Sequence, residues 1–588
     1  MSDLLERTET GEIEGPATSE ARRNLWKARG RAMLRPQFLI LATVVLVIAY
    51  LALVPLGYLV WGTAFRDGVL SWDNFRLAYT TRGLGELSYN TLVYAFGATG
   101  LSVSIGVVLA FFTERTDIPL RRMVFIGSLV PLIIPGLLYT IAWIFLASPR
   151  TGILNAWLEP LFGPQFFNVF SMTGLIVVQG LDNAPLAFLL MVAAFRSMDP
   201  SLEESAVVSG GSLIDVFRRI TIPMTKPAIL AAIMILGVRN IESFETPALL
   251  GIPANLLVFT SRIWQVLQRF PPDYGQAGAY SVSLLLIVSF GIWTYSRYQS
   301  RSKQFQTVTG KGFRPRAIPL GTWRRPIGVI VMVYFFIAIV LPVLVLIYTS
   351  TQTFYAVPTL ERIGNATLDN YAFIFENRQT ARALRNSIFL GLTAATGVMF
   401  LSALGSWMVV RSRLPGRWLV DNLAFLPLVI PGLVLGVALI FVYLRFPLPV
   451  YGTMWILFIA YLTRFLPYGM RYSSASMYQI GGELEESAQV SGATWWKVFY
   501  RINVPLLMPG LIAGWSYVFM VSVRELGSSI LLYSPGTEVL SIMIWEQYEN
   551  GNFVQLSALG VVMIALMTVI VFVAQRLGAK VGVQASGS

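Results

Sequence analysis

The sequence predicts an all-α polytopic membrane protein with about twelve transmembrane helices in two parallel six-helix repeats. The 588 residues are 55% hydrophobic and only 13% charged, and the mean hydropathy is +0.64. The apolar residues form runs of about 20, the length that crosses a bilayer core. One polar stretch occurs twice, at residues 202–227 and 484–509. Two similar halves that each present this segment to water would explain the repetition.

The apolar runs form two sets of six. The first run, at 38–61, is too long for the core of a signal peptide and lacks a small-x-small cleavage site, so we expect it to be retained as the first span. The other expected spans lie near 90–112, 123–147, 168–194, 228–250, 278–296, 327–349, 386–410, 419–444, 450–472, 508–524 and 556–575. Because six spans per half is an even number, the halves should be parallel around an axis along the membrane normal, where a pathway is expected.

Basic residues indicate which side of the membrane is cytoplasmic. Arg115 and Arg121 follow the second run, Arg411 and Arg417 follow the eighth, and the segment 297–325 carries eight basic residues and no acidic residue. The positive-inside rule therefore places these loops, both termini and both copies of the repeated stretch in the cytoplasm. The predicted divisions are an N-terminal tail (1–37), a first half (38–296), a basic linker (297–326), a second half (327–576) and a C-terminal tail (577–588).

Composition excludes several classes of function. The net charge of +13 comes from Lys and Arg beside the ends of apolar runs, as expected for membrane borders, and does not indicate nucleic-acid binding. The sequence contains no Cys and no His, so it offers no disulfide and none of the usual ligands for heme, zinc or copper. We expect no cofactor and no stable metal site on this chain. The basic N-terminal tail is expected either to remain solvated or to lie on membrane lipids.

The two copies of the repeated stretch are named loop A (residues 202–227) and loop B (residues 484–509). They align without a gap at an offset of 282 residues (484 − 202) and share the two Glu, the Ser-Ala pair, the Gly and both Pro. Similar matches occur outside the loops, where PLIIPGLL at 131–138 corresponds to PLVIPGLV at 427–434. The whole chain is therefore an internal duplication.

Each loop carries a specific pattern. In loop A, Glu204, Ser205 and Ala206 are followed by Gly210 and, after a second short segment, by Pro223. In loop B the corresponding residues are Glu486, Ser487, Ala488, Gly492 and Pro505. The pattern predicts a short helix with small exposed residues, a tight turn at the Gly and a second, amphipathic helix that is stopped by the Pro.

This pattern resembles the EAA loop of ABC importer permeases, with Ser205 and Ser487 in place of the first Ala. The resemblance implies that each loop is a coupling helix seated on an ATP-hydrolysing subunit, where its carboxylates meet basic residues. The residues expected at this docking surface are Glu203, Glu204, Ser205, Ala206, Gly210, Pro223, Glu485, Glu486, Ser487, Ala488, Gly492 and Pro505. A solvated helix start is the alternative for the glutamates alone, but the repetition of the whole pattern favours docking.

The ATPase itself is expected on another chain, because G-x-x-x-x-G-K-[ST] occurs nowhere in the 588 residues. The chain is therefore predicted not to be an enzyme. The resemblance implies three kinds of partner: two copies of a cytoplasmic ABC ATPase subunit, a periplasmic or lipid-anchored substrate-binding protein, and the lipids of a bacterial inner membrane.

Charged residues inside predicted spans are costly and are candidates for a translocation path. The candidates are Asp182, Arg239, Glu242, Glu245, Arg524 and Glu525; Arg464 is a further charge within a span. The alternative is that Arg239 neutralises Glu242, and Arg524 neutralises Glu525, at the outer interface. Pro-Gly pairs at 135–136 and 431–432 interrupt the third and ninth spans, either as gates or as packing kinks.

From about residue 38 onward the chain resembles fused, two-half permeases of type I importers, similar to the ferric-iron group. The segments ESFETP at 242–247, RELGSS at 524–529 and SPG at 534–536 carry this finer resemblance, which implies ferric iron as the substrate. Related fused permeases carry thiamine, polyamines or phosphonates. An ion-coupled secondary transporter, for which Asp182 would be the titratable residue, and a membrane scaffold are alternatives of other classes, but neither explains two preserved loops.

Overall fold

The computed structural model describes residues 36–66, 69–80, 83–128, 130–198, 201–302, 317–412, 416–445 and 449–580. Most of the predicted N-terminal tail, the centre of the basic linker and most of the predicted C-terminal tail lie outside these ranges. Within them the chain is mainly helical, with one small antiparallel hairpin of β1 (Phe65–Arg66) and β2 (Val69–Leu70).

The helices of the first half follow in the order α1 (Pro36–Ala64), α2 (Asp73–Thr80), α3 (Leu84–Arg115), α4 (Arg121–Gly127), α5 (Gly136–Ala147), α6 (Ile153–Phe162), α7 (Met172–Ser197), α8 (Ser201–Val208), α9 (Leu213–Val216), α10 (Ile222–Glu242), α11 (Phe259–Leu267) and α12 (Tyr274–Ser302). Short 3-10 turns lie at Val130–Leu132 and Gly321–Trp323, and single π-turns lie at Phe217–Thr221 and Pro247–Gly251.

The helices of the second half are α13 (Arg324–Phe335), α14 (Leu341–Ser350), α15 (Leu360–Gly364), α16 (Asp369–Glu376), α17 (Arg378–Val410), α18 (Arg417–Phe425), α19 (Gly432–Tyr443), α20 (Met454–Gln479), α21 (Glu483–Val490), α22 (Trp495–Val498), α23 (Val504–Val523), α24 (Ser529–Leu532), α25 (Leu540–Glu549) and α26 (Phe553–Lys580). A π-turn at Phe336–Val340 joins α13 to α14, a 3-10 turn at Leu426–Val429 follows α18, and a π-turn at Phe499–Asn503 precedes α23.

The polytopic all-α fold is confirmed, but the number of twelve spans is not. Nine helical segments within the described ranges are long and apolar enough to cross a membrane, and a bent pair, residues 417–429 with Gly432–Tyr443, makes ten. Of the other two predicted spans, the third contains only the 12-residue α5 as a continuous apolar helix, and the tenth corresponds to α20, which is long enough but carries Arg464 and Arg471.

The third and ninth spans are broken at the same point of the repeat. The chain is extended at Pro135 before α5 and at Pro431 before α19, and the second break bends by 107°. Proline lacks the N–H that would continue a helical ladder. The 12 residues of α5 or of α19 extend about 18 Å, which is short of a bilayer core of about 30 Å. Each is therefore a half-span that begins within the protein.

The two halves have equivalent packing. In the first half α3 packs against α7 and α10, and in the second half α17 packs against α20 and α23. The first span of each half also crosses to the other half. Helix α1 packs on α19, where the Tyr50 and Tyr443 hydroxyls lie 2.8 Å apart, and α14 packs on α5, while the Tyr139 hydroxyl donates to the Ala338 carbonyl at 2.8 Å. This exchange joins the halves around their broken spans.

Candidate functional site

Loops A and B have the same local structure. In each, an eight-residue helix (α8 or α21) is followed by a glycine with positive φ, a four-residue helix, a π-turn and a long helix that has proline in its first turn. Gly210 has φ +84° and Gly492 has φ +81°, a conformation that a residue with a β-carbon adopts only with strain. The Gly therefore sets the predicted turn, but the prediction that the Pro stops the second helix is wrong. Helical structure continues through the π-turn into the long helix, because proline is tolerated in a first turn, where its missing N–H would have no helical partner.

The first glutamate of loop A lies inside the protein. The Glu203 side chain is 2% exposed, and its Oε2 atom lies 3.1 Å from Nε of Arg115, which is 3% exposed. A second nitrogen of Arg115 donates to the Phe195 carbonyl at 2.8 Å and to the Met198 carbonyl at 3.1 Å. We call this arrangement latch A. It connects α8 to the ends of α3 and α7.

Loop B has an equivalent arrangement, latch B. Arg411 Nε lies 3.2 Å from Oε1 of Glu485, and the Trp407 indole donates to the other carboxylate oxygen at 3.1 Å. Arg411 also donates to the carbonyls of Met477 and Ile480, at the end of α20. Because three equivalent helices meet in each half, the latch belongs to the repeated architecture.

These positions correct part of the expected docking surface. Glu203 and Glu485 face Arg115 and Arg411, so neither carboxylate is available for direct contact with a partner in this structure. Burial raises the pKa of the Glu203 carboxyl, while the hydrogen bond from Thr221 and the charge of Arg115 oppose that rise. The sequence alone does not reveal the latches, because basic residues at the ends of apolar runs indicate only topology. Their matching places at the ends of α3 and α17 were the available signal.

The remaining motif residues lie on or near the outer face of the loops. Ser205, Glu486 and Ser487 are exposed, and Glu204 is half-buried. Apolar side chains stand exposed beside them at equivalent places: Leu202 (54%), Val208 (88%), Leu484 (52%) and Val490 (90%). Ala206 and Ala488 are half-buried, and Gly210, Gly492, Pro223 and Pro505 are exposed. Each loop thus presents small and apolar residues next to the second glutamate of the motif, Glu204 or Glu486.

A second site lies between the halves, where the charges of the predicted spans meet. Nε of Arg464, on α20, lies 3.2 Å from Oε2 of Glu525, just beyond the end of α23. The other carboxylate oxygen of Glu525 accepts hydrogen bonds from the Ser528 amide at 3.0 Å and the Ser528 hydroxyl at 3.1 Å. Glu525 thus has an ion-pair partner on another helix, which the sequence alone did not indicate.

Two glycines at the broken spans border these charges. A β-carbon at Gly136, the first residue of α5, would collide with the Glu245 carboxylate, and Oδ2 of Asp182 would lie 3.6 Å away. A β-carbon at Gly432, the first residue of α19, would collide with the Arg464 guanidinium. Each half-span therefore begins directly against charged side chains, with two carboxylates in the first half and an arginine in the second.

Electrostatic interactions connect all the candidate path residues. Asp182 interacts with Arg239 and Arg524; Glu242 interacts with Arg464 and Arg239; Glu245 interacts with Asp182, Glu525, Arg524 and Arg239. The residues of this inter-half cluster are Asp182, Arg239, Glu242, Glu245, Arg464, Arg524 and Glu525. The four carboxylates and three guanidinium groups give the cluster a formal charge of −1. The structure thus brings together all six predicted path residues.

Arg464 is the member of the cluster that the sequence analysis did not include among the path residues. The available signal was its position, because it stands 282 residues after Asp182 (464 − 182), the same offset as loops A and B. Asp182 and Arg464 are therefore equivalent positions of the repeat with opposite charge. Such a difference makes the two sides of the cluster chemically distinct.

Comparison with protein families decides what kind of membrane protein this is. The family model described as "Binding-protein-dependent transport system inner membrane component" matches twice, at residues 102–299 and 401–582. The chain belongs to this family. The permease contains both copies of the family domain in one chain, which makes it a fused, two-half ABC importer permease of the inner membrane.

Named relatives of the permease match across both halves. The ferric transport system permease protein FbpB of Actinobacillus pleuropneumoniae is 26% identical over 82% of this chain and 69% of its own length. The putative ferric transport system permease protein FbpB 1 of Haemophilus influenzae is 28% identical over 76% of this chain and 71% of its own length. The putative 2-aminoethylphosphonate transport system permease protein PhnV of Salmonella paratyphi A is 25% identical over 44% of this chain and 96% of its own length.

One solved structure gives a weaker match. A chain of a bacterial ABC transporter involved in the import of the acidic polysaccharide alginate is 19% identical and aligns over 44% of the permease and 95% of its own length, with a TM-score of 0.35. A likeness this low supports no argument about the fold of the permease.

Proposed function

We propose that this permease carries ferric iron from a periplasmic binding protein to the cytoplasm, driven by ATP hydrolysis on separate subunits. The observation that supports iron is the extent of the alignments. Relatives named as ferric permeases align over 82% and 76% of the chain and thus include both halves, whereas the phosphonate relative aligns over 44%.

The geometry of the loops supports two ATPase subunits, one for each loop. Helices α8 and α21 present the same pattern of exposed apolar residues beside the second glutamate of the motif, Glu204 or Glu486. Small residues allow a helix to enter a groove on a partner, and a carboxylate can pair there with a basic side chain. The sequence has no phosphate-binding loop of its own, which supports ATP hydrolysis on those subunits.

The inter-half cluster supports a hard cation as the transported species. Ferric iron prefers oxygen ligands, and Asp182 and Glu245 both border Gly136 at the start of a half-span. In the second half the Arg464–Glu525 pair lies at the corresponding place. If the binding protein supplies specificity, the permease needs only a weak and transient site, and one cluster that offers several carboxyl oxygens is sufficient.

We also propose that both termini and both loops are cytoplasmic, with the half boundaries predicted from the sequence. The basic residues that follow α3 and α17 support this orientation. Because the native chain has no Cys, single cysteines can be labelled without background. A cysteine at Ser491 should react only from the cytoplasmic side and one at Leu161 only from the outside. Reaction of both from the same side would refute the orientation.

Substitution of Glu245 by Gln tests the cargo proposal. The change keeps the size of the side chain and removes one carboxylate beside Gly136. We expect uptake of iron from the cognate binding protein to fall about tenfold, the equivalent of roughly 1.4 kcal/mol, while assembly with the ATPase stays intact. Glu159→Gln, at an exposed carboxylate on α6, is the matched control and should leave uptake unchanged.

Two results would oppose the iron assignment. Unchanged iron uptake in Glu245→Gln would remove the cluster from the path. Growth that depends on this permease for thiamine, a polyamine or a phosphonate, with no dependence for iron, would reject ferric iron as the cargo. Neither result would affect the membership of the chain in its family, which rests on both halves of the sequence.

A further inference from the structure

A basic cavity at the ends of three helices of the first half has no role in the proposed transport path. It has a volume of about 370 Å³ and lies where α3 ends, α4 begins and α7 ends. Its lining consists of Thr113, Glu114, Arg121, Arg122, Phe125 and Arg196. These helix ends carry the basic residues that indicate the cytoplasmic border of the membrane.

The charges in this cavity are ordered by a buried carboxylate. Glu114 is 7% exposed and pairs with Arg121 at 3.1 Å and with Arg196 at 3.0 Å, while the two arginine side chains are 48% and 58% exposed. The Arg196 guanidinium also lies over the Phe125 ring, 5.2 Å from its centroid. Each guanidinium has five N–H donors, so both arginines keep donors for a further acceptor.

Arg122 adds a third guanidinium with no counter-charge. It is exposed and forms no ion pair with any described residue. Three arginines against one carboxylate give the cavity a formal charge of +2. Arginine presents a planar fork that matches phosphate oxygens, so the cavity is suited to a phosphate group.

Apolar side chains beside the cavity distinguish a lipid from a free anion. Leu120 is 52% exposed and Met123 is 57% exposed, next to Arg121 and Arg122 in the chain. At a membrane border such residues contact acyl chains, while neighbouring arginines reach the headgroups. A ligand with a phosphate and an acyl chain would use both surfaces, whereas a free phosphate would use only the arginines.

The second half lacks this cavity chemistry, so the general enrichment of basic residues in cytoplasmic loops does not explain it. At the offsets of the repeat, Glu114 corresponds to Val410, Arg122 to Trp418, and Arg196 to Tyr478. Only the equivalent of Arg121, which is Arg417, is retained. We propose that the first half binds one anionic phospholipid by its headgroup phosphate in the cavity lined by Arg121, Arg122 and Arg196.

The test measures lipid binding to the purified full-length chain by native mass spectrometry, with phosphatidylglycerol and with phosphatidylcholine of the same acyl chains. We expect one phosphatidylglycerol to bind more tightly than phosphatidylcholine. In Arg121→Gln/Arg122→Gln this preference should fall about thirtyfold, as expected for two surface arginines facing an anionic lipid. Arg417→Gln, the equivalent change in the second half, is the matched control and should retain the preference. Arg122→Gln alone, at an exposed residue, provides a milder variant if the double variant does not fold.

Four outcomes would overturn the assignment. Equal binding of the two lipids would show that headgroup charge is not recognised, and an equal loss in Arg417→Gln would show a non-specific effect of charge. If millimolar inorganic phosphate displaced bound phosphatidylglycerol as effectively as added phosphatidylglycerol does, the cavity would be a site for free anions. Loss of ATPase association in the double variant, with lipid binding retained, would assign the cavity to the docking surface instead.

Discussion

Latch A gives a prediction whose size can be worked out from the structure. In Glu203→Gln the amide oxygen can still accept the hydrogen bond from Thr221, while the charge that faces Arg115 is lost. Arg115 is 3% exposed and cannot turn to water without leaving the Phe195 and Met198 carbonyls. Removing one partner of a buried ion pair costs about 3–5 kcal/mol. The retained carbonyl contacts favour the lower end, about 3 kcal/mol.

Latch B should respond less to the same change. Arg411 is 19% exposed, so water can solvate its charge when Glu485 is replaced by Gln, and the Trp407 indole can still donate to the amide oxygen. We expect Glu485→Gln to destabilise the closed position of α21 by about 1–2 kcal/mol. The difference in destabilisation between Glu203→Gln and Glu485→Gln is a sharper test than either free energy alone, because both variants change the same residue type at equivalent places.

Hydrogen exchange of the full-length chain measures these costs locally. If latch A controls the opening of α8, a loss of about 3 kcal/mol should accelerate amide exchange there by about a hundredfold. In Glu485→Gln, amide exchange in α21 should be accelerated by about tenfold. Glu486→Gln, at the exposed neighbour, is the control and should leave exchange unchanged. Two results would refute the latches. One is amide exchange in α21 that is accelerated equally by Glu486→Gln and by Glu485→Gln, and the other is unchanged amide exchange in α8 of Glu203→Gln.

Two further predictions concern the loops and the broken spans. Replacing Glu204 and Glu486 by Arg should leave the chain inserted but remove copurification of a cognate ATPase, since like charges would face each other in its groove; wild-type recovery of the ATPase would exclude the docking role. Gly432→Ala should displace the Arg464 guanidinium and slow uptake severalfold without loss of the folded chain. The control is Gly100→Ala, where the added methyl group meets no atom within 4 Å and which should transport normally. Equal uptake rates in the two variants would contradict this role of Gly432.

The repeated elements could be predicted from the sequence because their signals are local. Gly210 requires a positive φ, and the apolar runs set most spans. The duplication then supplied an internal check, since each signal recurs at a fixed offset. The grouping of Asp182 with Glu245 and Arg524 was also predictable, because charges inside spans require partners.

The direction of individual side chains could not be predicted in the same way. Glu203 and Glu204 are neighbours of one type, but successive residues of a helix point about 100° apart, and only the position of Arg115 decides which carboxylate is buried. The break of the third span at Pro135 was visible, yet its consequence, a half-span beginning against Glu245, depends on packing between distant segments. Arg464 was missed as a path residue because its partner lies beyond the next loop.

The exchange of first spans has a consequence for how the chain matures. Tyr50, on α1, meets Tyr443 only after 393 further residues have been synthesised. Until then the face of α1 that will pack on α19 is in contact with lipid or with the insertion machinery, so the tertiary structure of the first half closes only when the second half arrives. Once closed, the halves hold each other through α1 and α14, and a cut in the linker between them would leave the two pieces in one particle.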